Sequence, residues 1–185
     1  MILVTGARGF VGRRLTKKLD LLGYSYKRIV RVAERESDIV CDLANDDLPE
    51  DLMDGVEAVF HLAAFTHDNR DAEKIRHLYE AINVQGTMKL ANLAAKKGVT
   101  KFLFVSSVKA GGKPSEKEIV REDSSLAPDG IYGETKREAE RKLVDLGKKT
   151  GLEVVIIRPS LIYGPGVKGN LEMMLSGISK GGFPP

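Results

Sequence analysis

Short apolar runs alternate with amphipathic stretches along most of the chain, and this alternation is what most restricts the fold. Runs of strand length lie at residues 1–5, 29–32, 39–41, 56–62, 102–105 and 154–157, and stretches with helical periodicity lie at 10–22, 72–97 and 132–149. Strands and helices that follow one another in this way are typical of a parallel sheet with helices on both faces. We therefore predict an α/β fold with a doubly wound parallel sheet.

The composition excludes several classes of protein. The chain of 185 residues carries a net charge of +3 with no block of like charge, so a nucleic-acid partner is not indicated. Cys41 is the single cysteine, which excludes an internal disulfide and fits a reducing compartment. His61, His67 and His77 lack the spacing of a metal site. Because a strand begins at Met1 and no run reaches membrane-spanning length, we expect a cytoplasmic protein without a membrane partner.

A glycine-rich turn joins the first expected strand to the first expected helix. Its glycines have the spacing GxxGxxG rather than GxGxxG. Glycines at such a turn let the backbone approach a pyrophosphate, and the helix N-terminus offers free N–H groups and its dipole to the anion. The turn predicts a dinucleotide site, and the alternative is that its glycines serve tight turns only. The candidate cofactor contacts here are Gly6, Arg8, Gly9, Phe10, Val11 and Gly12.

The end of the second strand bears on the choice between NAD and NADP. An acid there binds the ribose 2′-hydroxyl of NAD, whereas a base accommodates the 2′-phosphate of NADP. This region holds Arg28, Arg31 and Arg35, with Glu34 as the nearby acid, and so leans toward accepting NADP. A solvated basic turn explains the same residues equally well. Asp42, after the third strand, is a candidate contact to adenine or an ordinary turn residue.

A tyrosine, a lysine and a serine form the second candidate group. Tyr132 and Lys136 are four residues apart on an expected helix and so share one face. A cation about 4 Å from a phenol stabilises the phenolate by about 4 kcal/mol, so we predict that Lys136 lowers the pKa of Tyr132. Ser106 and Ser107 end the fifth strand, where parallel sheets bind ligands. The alternatives are a half-buried tyrosine beside a surface lysine, and serines that begin a loop.

These motifs together resemble the extended short-chain dehydrogenase/reductase family, and within it the NAD-dependent sugar-nucleotide epimerase/dehydratase group. The likeness covers the whole chain, with the motifs in the family's order. They are Thr5-Gly6-x-x-Gly9-x-x-Gly12, Asp42-Leu43, His61-Leu62-Ala63-Ala64, Asn83-Val84-x-Gly86-Thr87, Phe104-Val105-Ser106-Ser107, Tyr132-x-x-x-Lys136 and Arg158-Pro159-x-x-Ile162-Tyr163-Gly164-Pro165-Gly166.

The resemblance implies a Rossmann-type domain over residues 1–185 that binds NAD or NADP and acts on a nucleotide sugar. It implies that Tyr132 transfers the proton, that Lys136 binds the nicotinamide ribose and lowers the tyrosine pKa, and that Ser107 orients the reacting oxygen. Relatives often form homodimers through two long helices, here 72–97 and 132–149. Further cofactor-binding residues are implied at Arg31, Asp42, Leu43, Leu62, Ala63, Ala64, Asn83 and Pro159.

The chain also departs from the family pattern. Dehydratases follow the active-site serine or threonine with Asp-Glu, whereas Ser107 is followed by Val108 and Lys109, which disfavours dehydration. The Arg-Tyr-Phe-Asn segment of many epimerases reads Arg158-Pro159-Ser160-Leu161 here. Family members continue further, so residues 164–185 are expected to begin a truncated substrate-binding part. We expect an epimerase that works by tyrosine-assisted hydride transfer at a sugar carbinol; the alternatives are a 4-keto reductase or dehydrogenase, or a non-catalytic dinucleotide-binding fragment.

Overall fold

The computed structural model describes residues 1–66, 73–115, 119, 121–124, 126–167 and 170–182. The strands are Ile2–Thr5 (β1), Tyr26–Val30 (β2), Asp38–Val40 (β3), Ala58–His61 (β4), Lys101–Val105 (β5) and Glu153–Ile157 (β6). The α-helices are Phe10–Leu21 (α1), Arg76–Tyr79 (α2), Thr87–Lys96 (α3), Val108–Gly111 (α4), Gly130–Thr150 (α5) and Asn170–Ser179 (α6), and a π-helical segment, Glu80–Gly86, joins α2 to α3.

The strands form one parallel sheet in the order β3-β2-β1-β4-β5-β6. On β1, Thr5 is paired with Ile29 on one side and with His61 on the other. Strands β2 and β3 lie on one side of β1, and β4, β5 and β6 lie on the other side, so the strand order reverses between β1 and β4. Doubly wound sheets bind their ligands at this position. The predicted Rossmann-type fold is confirmed.

Helices cover both faces of the sheet. On one face, Val4 packs with Leu19 of α1. On the other face, Leu3 belongs to a larger core that includes Leu90 of α3 and Leu143 of α5. Because neighbouring strand residues point to opposite faces and both faces are covered, Ile2, Leu3 and Val4 of β1 are all apolar. This is why the strands appear in the sequence as continuous apolar runs.

The second strand begins earlier than expected. The structure places it at Tyr26–Val30, with Tyr26 paired to Ile2, whereas the apolar pattern predicts residues 29–32. The difference arises at Arg28, whose side chain is buried in the strand and makes an ion pair with Asp38 on β3. A charged residue interrupts the apolar pattern although its charge is matched inside the fold.

The single helix predicted over residues 72–97 is divided in the structure. Residues 73–75 form a turn and residue 72 lies outside the described residues; α2, the π-helical segment and α3 follow. The π-helical turn widens the helix around Asn83. At its end, a Cβ on Gly86 would lie 3.0 Å from the carbonyl oxygen of Leu43, so the absent side chain allows this close approach.

Helix α6 lies in the region that was expected to begin a substrate-binding part. It exposes Met173, Leu175 and Ile178. Across the described ranges, no helix is both long enough and apolar enough to cross a membrane. Among the same residues, no group of three or more His, Cys, Asp or Glu side chains is placed to hold a metal ion, and His67 lies outside them.

Candidate active site

The glycine turn after β1 contacts the end of β4 directly. Gly6 has a φ of +68°, and a Cβ on it would lie 2.6 Å from the backbone nitrogen of Ala63. A Cβ on Gly12 would lie 2.2 Å from the carbonyl oxygen of Gly6. Side chains at these positions would therefore collide with the backbone. The turn lies at the position where the order of the strands reverses, which is where doubly wound sheets bind a pyrophosphate.

The N-terminus of α1 has the features of an anion-binding helix end. Its N-cap residue, Gly9, has no side chain that could accept from the first-turn amides, and no acidic residue lies in the first turn. Those amides and the helix dipole favour a negative ligand. Arg14 stacks on the ring of Phe10, 3.9 Å from its centroid, and donates to the carbonyl oxygen of Pro165. The segment around Pro165 is thereby held beside this helix end.

Charged side chains surround the end of β2. The carboxylate of Glu34 lies 2.8 Å from Nε of Arg8 and 2.9 Å from Nη2 of Arg13. Arg8 also donates to the carbonyl oxygen of Val32 at 2.9 Å. The nearby acid of the sequence analysis is thus already neutralised by two arginines.

The three arginines named for this region differ in availability. Arg28 donates two hydrogen bonds of 2.6 Å to Asp38, which hold the pKa of that carboxyl well below its usual range. This buried pair leaves Arg28 unavailable to a cofactor. Arg35 donates to the hydroxyl of Tyr26 at 2.9 Å. Arg31 is exposed and has no polar partner in the described part of the chain.

Asp42 occupies the turn after β3. Its Oδ1 accepts from the backbone nitrogen of Ala44 at 3.0 Å, and its Oδ2 accepts from Asn45 at 2.9 Å. These bonds match the turn role that was the alternative for Asp42, and its contact with adenine stays a prediction. Leu43 is buried in the main core.

A buried hydrogen-bonded chain fixes the end of β4. Nδ1 of His61 is 2.6 Å from Oγ1 of Thr5, and Nε2 is 2.8 Å from Oγ1 of Thr87. Burial lowers the pKa of His61 to about 3, with a further contribution from Lys136, so the ring is neutral. Thr5 also accepts from the backbone nitrogen of Ala63 at 3.1 Å. These hydrogen bonds hold Ala63 where it closely approaches the glycine turn. Leu62 and Ala64, on either side of Ala63, are partly exposed.

Asn83 joins the loop after β4 to the long helix α5. Fully buried, it accepts from the backbone nitrogen of Phe65 at 2.8 Å and donates to the carbonyl oxygen of the same residue at 3.2 Å. It also donates to Oγ1 of Thr135 at 3.2 Å. Thr135 lies between Tyr132 and Lys136. Asn83 therefore braces the helix that carries both candidate residues.

Tyr132 packs in an aromatic cluster. Its neighbours there include Tyr79 and Phe65, whose rings meet edge to face at 4.8 Å. Burial raises the pKa of the Tyr132 phenol, and Tyr79 adds to the rise. Lys136 is not among the groups that shift this pKa, so its expected effect on Tyr132 stays a prediction.

Lys136 is fully buried, and its ammonium group has no hydrogen-bond acceptor among the described residues. The Nζ atom lies 3.8 Å from the ring centroid of Phe104 on β5. Burial lowers the pKa of Lys136 to about 7, while Glu140 raises it. The hydroxyl of Ser106 is likewise buried without a partner in the described chain. Ser106 follows Phe104 by two residues and so is expected to share its face, although the sequence motif favours Ser107 as the site residue.

Ser107 forms the N-cap of α4. Its Oγ accepts from the backbone nitrogen of Lys109 at 3.2 Å. Helix α4 packs tightly on the start of α5, because a Cβ on Gly133 would lie 2.5 Å from the carbonyl oxygen of Lys109. The carbonyl oxygen of Pro159 accepts from the backbone nitrogen of Val108 at 3.1 Å. The segments that carry Ser107, Tyr132 and Pro159 therefore adjoin at one edge of the sheet.

This arrangement fits a dinucleotide. The glycine turn leads into a helix N-terminus without a capping side chain or an acidic residue in its first turn, and Lys136 offers an unmatched ammonium at the same edge of the sheet. A buried polar group without a partner is costly unless a ligand completes it. The fold and the site thus define a Rossmann-type dinucleotide-binding domain with a tyrosine and a lysine on one helix.

Comparisons with known proteins agree with this class. The model of the NAD dependent epimerase/dehydratase family matches residues 2–181, and the chain belongs to that family of enzymes. It is 39% identical to the UDP-glucose 4-epimerase of Vibrio cholerae over 97% of this chain. Among solved structures, it is similar to MoeE5 in complex with UDP-glucose and NAD, with 27% identity, a TM-score of 0.82 and coverage of 95% of this chain and 60% of that one.

A further solved structure is the UDP-glucuronic acid 4-epimerase of Bacillus cereus in complex with NAD. It has 25% identity and a TM-score of 0.83, and the match covers 98% of this chain and 63% of that one. The chain spans about half the length of the curated relatives, 57% in the case of the Vibrio cholerae enzyme.

Proposed function

We propose that the chain binds NAD or NADP and contributes the catalytic side chains of a sugar-nucleotide epimerase, with a uridine diphosphate sugar as substrate. The observation that carries this proposal is Lys136. Its ammonium is buried without an acceptor in the described chain, one helical turn from Tyr132. The names of the relatives and of the solved structures add the substrate class.

The chain's own residues account for cofactor binding. The backbone amides that follow Gly6 would hold the pyrophosphate, and Nζ of Lys136 would donate to the ribose hydroxyls next to the nicotinamide. The hydroxyl of Ser106, without a partner in the described chain, lies on the same face as the ring beneath Lys136. When bound, the nicotinamide supplies a carbon that takes up and returns a hydride.

Tyr132 would move the proton. As the sugar carbinol becomes a ketone, the phenolate would accept the hydroxyl proton while hydride leaves the same carbon, and it would return that proton to the same oxygen while hydride returns to the opposite face of the ketone. Burial raises the tyrosine pKa in the free chain, so the phenolate needs a charged Lys136 held beside it by the ligand. The Oγ of Ser107 would turn from the amide of Lys109 toward the reacting oxygen.

The end of β2 favours tolerance of a 2′-phosphate. Arg31 is exposed and unpaired within the described ranges, and Glu34 is neutralised by Arg8 and Arg13. A base at this position suits NADP, whereas NAD selection uses a free acid. We therefore expect NADPH to bind within about tenfold of NADH, which fluorescence titration measures; rejection of NADPH by more than about a hundredfold would contradict this assignment.

Substitution of the tyrosine tests the catalytic assignment. In Tyr132→Phe we expect interconversion of UDP-glucose and UDP-galactose without added cofactor to fall by at least about a thousandfold. NADH binding should stay within about threefold, because the phenyl ring keeps the packing. Tyr24→Phe is the matched control, since Tyr24 is exposed. Absence of NADH binding in the unsubstituted chain, or equal loss of binding and turnover in Tyr132→Phe, would overturn the proposal.

A further inference from the structure

A partly buried ion pair lies one helical turn beyond Lys136. Glu140, on α5, is almost fully buried, and Arg158, directly after β6, binds both of its carboxylate oxygens. Nε of Arg158 donates to Oε1 at 3.0 Å, and Nη2 donates to Oε2 at 2.6 Å. A two-point pair of this kind fixes the orientation as well as the position of the carboxylate.

Arg158 is also held from another side. Its Nη1 donates to the backbone carbonyl oxygen of Glu122 at 3.0 Å, in the segment between α4 and α5. The guanidinium therefore connects the end of β6, the middle of α5 and this segment. It leaves the carboxylate of Glu140 little freedom to turn elsewhere.

Lys136 and Glu140 are four residues apart on α5 and lie on the same face. At this spacing a lysine and a glutamate ordinarily form an ion pair. Here Arg158 takes both carboxylate oxygens, and Nζ of Lys136 finds no acceptor among the described residues. The negative charge still acts on the ammonium, because Glu140 raises the pKa of Lys136 against the effect of burial.

The other titratable groups near this lysine lie on β4 and on α5 itself. On β4, His61 is neutral, because burial and then Lys136 lower its pKa to about 3. Beyond the carboxylate, burial lowers the pKa of Arg137, with contributions from Arg158 and Arg141. Within the described part of the chain, the carboxylate that Arg158 binds is therefore the anion that acts on Lys136.

We propose that Glu140 is a positioning residue for Lys136 and that Arg158 restrains it. The pair keeps a negative charge near the ammonium and at the same time prevents the carboxylate from accepting its protons. The carboxylate consequently favours the cationic form of Nζ and leaves it free to donate to the ribose hydroxyls of a dinucleotide. The identity of that ligand rests on the proposed function, whereas the electrostatic effect can be measured without any ligand.

Substitutions of the two partners should move the titration of Lys136 in opposite directions. In Glu140→Gln the anion is lost and the charge of Arg158 is unbalanced, so the pKa of Lys136 should fall by about one unit. In Arg158→Gln the carboxylate is released and can accept from Nζ, so the pKa should rise by about one unit. A merely structural pair would lower stability in both variants and leave the titration unmoved.

The titration is read from the 13C resonance of the Lys136 Cε atom, assigned with Lys136→Arg, in the full chain without cofactor. Glu138→Gln is the matched control, because Glu138 is exposed on the same helix and pairs with Lys142 at 2.8 Å. Its lysine titration should equal that of the unsubstituted chain. Circular dichroism confirms that each variant is folded.

NADH fluorescence titrations test what the charge does. A cationic Lys136 binds, so affinity is present below its pKa and is lost as pH rises through it. At about pH 8, Glu140→Gln should bind NADH about tenfold more weakly than Glu138→Gln, the factor that corresponds to a pKa lowered by one unit. Arg158→Gln should also bind more weakly, although its lysine is charged, because Glu140 then occupies Nζ.

Opposite shifts in the two variants support the proposal, and shifts in the same direction, or none, overturn it. If Glu140→Gln does not fold, an upward shift in Arg158→Gln still supports the proposal and its absence overturns it. If the shifts are opposite but the unsubstituted chain does not bind NADH, the electrostatic proposal stands and the proposed function fails.

Discussion

Replacing Gly6 with alanine tests the close approach between the glycine turn and β4. The new methyl group would lie 2.6 Å from the nitrogen of Ala63 and 2.7 Å from the carbonyl carbon of Leu62. Both atoms belong to the backbone, so neither can turn away as a flexible side chain would. Gly23 is the matched control, because its φ of +72° resembles the +68° of Gly6, but a Cβ there would meet nothing within 4 Å.

The magnitude follows from two contributions. Alanine in the left-handed region costs about 1–2 kcal/mol at either position. At Gly6 the overpacking against backbone adds about 1–3 kcal/mol. We therefore expect Gly6→Ala to lower the free energy of unfolding by about 2–5 kcal/mol and Gly23→Ala by about 1–2 kcal/mol.

Urea denaturation of both variants measures this difference, and NADH titration measures its effect on the site. We expect Gly6→Ala to weaken NADH binding by at least about tenfold, because relief of the collision moves the turn or Ala63. Gly23→Ala should bind as the unsubstituted chain does. Equal destabilisation by the two substitutions would mean that Gly6 serves only a tight turn, and the reasoning from the close approach would be refuted.

Two further substitutions test buried charges through the pH dependence of stability. Lys136→Met should stabilise the chain by about 1–3 kcal/mol at pH 7 and abolish NADH binding. Because the folded pKa of Lys136 is about 7, below the unfolded value of about 10.4, the stability of the unsubstituted chain rises between these values. The stability advantage of Lys136→Met should therefore shrink as pH rises from about 7 to about 10. If urea denaturation shows the same difference in unfolding free energy at all these pH values, the unpaired ammonium is contradicted. Asp38→Asn should cost about 3–5 kcal/mol at neutral pH, since Arg28 stays buried without its counter-charge, against less than about 1 kcal/mol for the exposed Asp20→Asn. As the folded pKa of Asp38 is depressed, this loss should be present above about pH 4 and diminish as pH falls below it; a loss independent of pH would contradict the ion pair.

The glycine turn and the helix that carries Tyr132 could be predicted because their signals are local. Glycine spacing directly after a strand restricts the backbone, and a tyrosine and a lysine four residues apart share a helix face wherever the helix packs. The surroundings of Lys136 could not be predicted in this way. Its contact with Phe104 and the absence of an acceptor among the described residues depend on how α5 packs over β5.

The direction in which the fold shifts the pKa of Tyr132 could not be predicted for the same reason. Spacing along a helix places Lys136 near Tyr132, but burial and the neighbouring Tyr79 determine the direction of the tyrosine pKa. Arg28 is a second example, because the acid that neutralises it is ten residues away on another strand. Ser106 could have been found from the alternation of side chains, since it follows Phe104 by two residues.

The π-helical segment changes the direction in which side chains point along the helical stretch from α2 to α3. Its wide turn holds one extra residue, and each residue of a helix advances the side chains by about 100°. Residues before the segment can therefore point toward the cluster around Tyr132, as Tyr79 does, while Leu90 and Ala94 after it point into the main core. Deleting one residue from this segment would restore an even helical phase and turn one of these two sets of side chains away from its neighbours.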